Sequence, residues 1–176
     1  DPQGGGRHAS LRPDPDARIR ALTANLSSLH AHFGVRQVAF DIANRTAHPC
    51  NRSEAMELDV VVCTTKGRHL LASLPLPQGL FRHHATDADP MRLGFEVRAV
   101  LAAGLGKYDW YGFLADGRVV ADPSFCRKLA WFSAVAGDDH LLAPNRMETD
   151  VTLVAHKGYV DGTLAPRVTA PWRDMT

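Results

Sequence analysis

Several places in the chain carry side chains able to do chemistry. The run 82–89, RHHATDAD, packs a guanidinium, two imidazoles and two carboxylates into eight residues. Such a cluster could coordinate a metal, or bind phosphate through Arg82 with His83. A solvated loop in which Asp89 only caps the next helix fits the same residues, because no common metal-ligand spacing is present. Asp116 closes the apolar, aromatic-rich run 108–114 and opens a turn with Gly117. A carboxylate at the carboxyl end of a buried strand sits where open α/β sheets bind ligands. Asp138-Asp139-His140 follows Gly137, just past a helix. Acids there oppose the helix dipole, so they serve either as a general base or as a polar turn. Cys63, with His69 or His84 as base, has the residue types of a thiol nucleophile, but its place inside an apolar strand reads as core packing.

Other chemistries find no support in the sequence. Gly4-Gly5-Gly6 follows no strand and lacks the lysine of a phosphate-binding loop, and no Gly-x-Ser-x-Gly elbow occurs. Twenty basic residues balance 19 acidic ones for a formal charge of +1, without a basic block, so nucleic acid is not the expected partner. No apolar run approaches the roughly 20 residues of a membrane span, and no secretory signal is visible. The three cysteines, Cys50, Cys63 and Cys126, are odd in number and lack metal spacing, which fits a cytoplasmic protein. The Asn-x-Ser/Thr sequons at Asn25, Asn44 and Asn51 read as chance, since two fall in or beside regular elements.

The elements that must position these groups are legible from pattern. Residues 1–16 are rich in Gly and Pro and are expected to be a mobile segment, with a weak edge strand at 8–11; a single α/β domain over 17–176 follows. Pro13-Asp14-Pro15-Asp16 starts a helix over 17–33, whose inward face is Ile19, Leu22, Leu26, Leu29 and Phe33, with Gly34 as its cap. Strands are expected at 35–42 and 58–63, the second almost continuously β-branched, as in a strand covered on both faces. A short helix carries Leu70, Leu71 and Leu74, and a brief strand covers 80–84. Asp89-Pro90 starts a helix to about residue 103, with Leu93, Val97, Val100 and Leu101 inward. The run 108–114 reads as a buried strand, and Asp122-Pro123 starts a helix to about 136. Short strands are expected at 141–142 and 151–155. This alternation predicts an α/β fold in three layers, a mostly parallel central sheet with helices on both faces. Strands 58–63 and 108–114 are expected to lie parallel in that sheet, joined by the crossover helix.

The segments LDVVVCTTKGRHLL, LFRHHATDADPMRLGFEVRAVL, LGKYDWYGFLADGRVVADPSFCRKLAWF and LLAPNRME resemble bacterial glycosyltransferases of the GT-A type over roughly residues 17–150. The resemblance implies a GT-A, Rossmann-like α/β fold, a nucleotide-sugar donor, an unknown acceptor, and Mn²⁺ or Mg²⁺ held by an acidic motif against the diphosphate. A hard cation stabilises the charge that develops on that leaving group. The triplet aligned with the motif is Ala115-Asp116-Gly117, so Asp116 stands where two or three acids are usual. By the same resemblance Asp116 and His156 would hold the cation, Arg82 and His83 would face phosphate, and Asp138, Asp139 or Glu148 would be the base. The missing acids leave a second possibility, a non-catalytic relative that binds a nucleotide or another ligand.

Overall fold

A computed structural model of the chain describes residues 14–34, 37–50, 56–67, 69–137, 139–149 and 158–159. The chain divides into two compact units, Asp1–Pro123 and Ser124–Thr176.

The first unit opens with helix α1 (Pro15–Phe33). Asp14 is its N-cap: the carboxylate accepts from the Asp16 and Ala17 N–H groups at 3.0 and 3.1 Å, and Pro15 fills a first-turn position where its missing N–H costs nothing. The spacing of three and four residues turns one face inward, and Leu26 and Phe33 on that face are buried. Gly34 ends the helix in extended backbone, its N–H bonded to the His30 carbonyl. Glycine suits the position because a Cβ there would lie 2.4 Å from that carbonyl oxygen.

Strands β1 (Val38–Asp41) and β2 (Thr46–Pro49) form an antiparallel hairpin. In its turn, Asn44 bonds both carboxylate oxygens of Asp41 and holds that carboxyl below the usual range. Strand β3 (Val61–Thr65) pairs in parallel with β4 (Arg82–Thr86), Val61 opposite Arg82 and Cys63 opposite His84. Their connection contains a left-handed turn at Lys66 and Gly67 and a 3-10 turn, Leu71–Ser73, and is long enough for parallel pairing. It is tied to α1 by the His30 ring, whose Nε2 lies 2.6 Å from the Leu80 carbonyl. Asp89 caps a second 3-10 turn, Pro90–Arg92, by accepting from the Met91 N–H at 2.8 Å. Helix α2 (Leu93–Ala103) continues directly from it and packs on β3.

The second unit holds α3 (Phe125–Ala136) and the short antiparallel pair β5 (Met147–Glu148) and β6 (Gly158–Tyr159). The expected Asp122-Pro123 start of α3 is corrected by two residues: Ser124 holds the cap position and makes no side-chain cap bond.

The expected three-layer fold with a mostly parallel central sheet, GT-A or Rossmann-like, is not what the chain forms. Among the described residues the strands make three separate two-stranded sheets, and only β3–β4 is parallel. The decisive segment is 108–114, which joins no ladder, with Tyr108, Trp110 and Phe113 exposed. Its aromatic content resembles that of a buried strand, yet the Tyr111 hydroxyl bonds the turn at the end of α2 and the Tyr108 hydroxyl bonds Asp59. β3 therefore takes β4 as its parallel neighbour, not 108–114. Residues 141–142 are not a strand either. The strands expected at 8–11 and 151–155 lie outside the described residues. No helix among the described residues is long and apolar enough to cross a membrane.

Candidate functional site

The best-formed polar constellation in the first unit joins three segments: the approach to β3, the first residue of β4, and the turn after α2. Asp59 stands at its centre. The Arg82 guanidinium donates to it twice, Nε to Oδ1 at 3.0 Å and Nη2 to Oδ2 at 2.6 Å. This fork against a carboxylate fixes the angle of the guanidinium as well as its position. The Tyr108 hydroxyl donates to Oδ2 at 2.5 Å. Arg82 first, and then Tyr108, hold the Asp59 carboxyl below the usual carboxylate range, while Asp59 pushes both the Arg82 guanidinium and the Tyr108 phenol up. The largest cause of each shift is a hydrogen bond to or from Asp59: the charged carboxylate is the acceptor that both donors prefer.

Around this trio lies an open cleft of about 500 Å³. Its floor is aliphatic, with Val61 of β3 and Val100 and Leu101 of α2. Its rim carries the exposed Tyr108, Trp110, Tyr111 and Lys107, and its wall the half-buried His84 and Glu96. Alternation along β4 explains why Arg82 and His84 both reach the cleft. An apolar base, aromatic faces and a few placed polar groups are what small polar ligands with a planar or pyranose-like face require.

The residues expected from sequence are not brought to one place. Arg82 lines the cleft. His83, one residue on, points to the other face of β4: its Nε2 lies 2.7 Å from the Thr64 hydroxyl, and its ring meets His69 edge-on with centroids 4.7 Å apart. Asp116 lies in the 115–118 turn and faces Arg18 of α1 at 3.9 Å, both side chains well exposed. That turn is anchored by the buried Asn25, whose Nδ2 donates to the Ala115 and Arg118 carbonyls. Asp139 and Glu148 are exposed residues of the second unit, while Asp138 and His156 lie outside the described residues. Among the described residues no three His, Cys, Asp or Glu side chains gather closely enough to hold a metal ion. Asp116 therefore lacks described companions with which to form the divalent-cation cage of the resemblance. Cys63 sits opposite His84, but burial, and then the Glu96 carboxylate, push its thiol up, away from the thiolate that a nucleophile needs.

Sequence reasoning missed Asp59, Glu96, Lys107, Tyr108 and Trp110. One signal was available. Leu58-Asp59-Val60 places a charge inside an otherwise apolar run, and a strand covered on both faces does not carry an acid without a partner.

No family model, curated protein or solved structure matches the chain.

Proposed function

We propose that the protein is a glycosyltransferase-like ligand-binding module that takes the nucleoside part of a nucleotide sugar in the Asp59 cleft. The observation that carries this reading is the convergence of Asp59, Arg82 and Tyr108 beside exposed aromatic faces in one cleft. Tyr108 and Trp110 offer planes for a base or a sugar ring to stack on. Among the described residues Asp59 Oδ1 accepts a single bond, which leaves acceptor capacity for a ribose or sugar hydroxyl. Two of the five N–H groups of Arg82 go to Asp59, and its side chain remains two-thirds exposed (67%), so the rest of the fork can meet phosphate oxygens. Lys107 on the same rim adds a second cation.

Sugar transfer is the second reading, supported by His84 and Glu96 on the cleft wall, the residue types that remove a proton from an acceptor hydroxyl. Titration calorimetry of uridine diphosphate glucose and guanosine diphosphate mannose, with and without Mn²⁺, tests both readings. The first expects metal-independent binding that Asp59→Asn weakens about tenfold or more, an acceptor–donor bond to a charged group being worth at least that. Equal affinity for the variant and the parent removes the cleft from consideration. Release of free sugar or its transfer to an added acceptor, lost in Glu96→Gln, establishes the second.

A further inference from the structure

We propose that Tyr111 is a positioning residue of the cleft: its hydroxyl holds the turn after α2 in the shape that delivers the Tyr108 side chain to Asp59 and Lys107 to the rim. A phenol oxygen has one proton to give and room to accept two. In Tyr111 all three are used within one turn. The hydroxyl donates to the Gly104 carbonyl at 2.7 Å and accepts from the Lys107 and Tyr108 N–H groups, both at 3.2 Å. It thus bonds both ends of the 104–108 turn at once. The turn passes through Gly106 at φ +80°, a conformation that glycine, having no Cβ, adopts without strain.

The consequence reaches the cleft in one step. The residue whose N–H Tyr111 grips is the same residue whose side chain donates to Asp59. The Tyr111 ring also meets the Tyr108 ring edge-on, at 5.8 Å and 90°, so the direction of the Tyr108 side chain is set from both backbone and ring. The Lys107 N–H divides itself between Tyr111 and the Gly104 carbonyl at 3.1 Å, whereas among the described residues the Tyr108 N–H bonds Tyr111 alone. Loss of the oxygen alone therefore frees Tyr108 while the neighbouring residue keeps a backbone partner. Because the turn is exposed, water replaces the lost bonds and the fold survives.

Tyr111→Phe keeps the ring and removes that oxygen. Three tyrosines make the measurement tractable: Cζ-labelled protein gives three phenol signals, assigned by single Tyr→Phe changes and followed through alkaline pH. The charged or titrating groups facing the Tyr108 hydroxyl are Asp59, Arg82 and Tyr111, and Asp59 dominates. In Tyr111→Phe the Tyr108 signal is expected to titrate lower, in the usual phenol range, as it also does in Asp59→Asn with Tyr111 intact. A Tyr108 titration unchanged from the parent in Tyr111→Phe overturns the inference. So does rapid hydrogen exchange at the Tyr108 amide of the unaltered protein, a measurement that needs no variant. The effect on ligand, about tenfold weaker uridine diphosphate glucose in Tyr111→Phe, rests on the cleft being a binding site. If the parent binds no donor, that reading fails while the Tyr108 titration still decides the role of Tyr111.

Discussion

Tyr108 donates a hydrogen bond from its hydroxyl to the Oδ2 oxygen of Asp59 across 49 residues of chain, at 2.5 Å, and shares that oxygen with Arg82. One carboxylate thereby joins the run before β3, the start of β4 and the turn after α2. The contact is exposed, so its value lies in geometry more than in stability: ion pairs in water gain little once side-chain entropy and screening are counted.

Asp59→Asn is accordingly expected to change the melting temperature little. It removes the charge that both donors prefer, so Arg82 and Tyr108 lose their common orientation. Phenol titration and calorimetry with a nucleotide sugar should both register the change, whereas a scanning calorimeter should not. A large drop in melting temperature with unchanged binding would make Asp59 a structural residue instead.

The pH range of the trio follows from the signs of the shifts. Asp59 is lowered, so its contribution is present above the ordinary carboxylate range and is lost as pH falls through its depressed folded value. Tyr108 is raised, so its contribution is present below the ordinary phenol range and is lost as pH rises through its elevated folded value. Chemical shifts of Arg82 and Tyr108 are expected to be flat across neutral pH and to move together at both extremes. A transition near neutrality would require a different partner.

Asp116→Ala separates the cleft from the cation expected by resemblance. The Arg18–Asp116 pair spans 3.9 Å between exposed side chains, and its loss is expected to leave stability and metal-free ligand binding unchanged. A fall in binding confined to Mn²⁺-containing buffer would bring Asp116 back as a ligand to metal.

Leu26→Ala tests the packing of α1. Leu26 is 1% exposed, and truncating a buried leucine costs about 2–5 kcal/mol through lost transfer energy and residual cavity. The midpoint of urea unfolding, read by tryptophan fluorescence, should fall accordingly. A change below about 0.5 kcal/mol, inside the range of ordinary surface substitutions, would place Leu26 in water.

What the sequence made legible was local. Asp14, Pro15 and the spacing from Ile19 to Phe33 mark α1, and Asp89-Pro90 marks the approach to α2, because caps and helical periodicity are decided within a few residues. The β-branched run before Thr64 marks β3 as well, although the strand spans Val61–Thr65 rather than 58–63. Partner choice was not legible, since pairing depends on what other segments offer. Run 108–114 carries the composition of a strand, yet its tyrosine hydroxyls find carbonyl, amide and carboxylate partners nearby. Of the candidate site, Arg82 was visible as part of a dense polar run, whereas Asp59 and Tyr108 gain meaning only when the chain brings them together.

Asn25 carries a consequence for the order of folding. Its amide reaches the carbonyls of Ala115 and Arg118, 90 and 93 residues along the chain. Loop-closure entropy rises with the logarithm of such a span, so a contact of this range is not rewarded until the segments between have organised. Helix α1 can form early from its own cap and spacing, and its docking through Asn25 is expected to come late. Loss of the amide in Asn25→Ala should therefore leave the refolding rate nearly intact and accelerate unfolding, the mark of an interaction made after the transition state. A chain cut before residue 115 would keep α1 as a helix while losing the latch that closes the first unit.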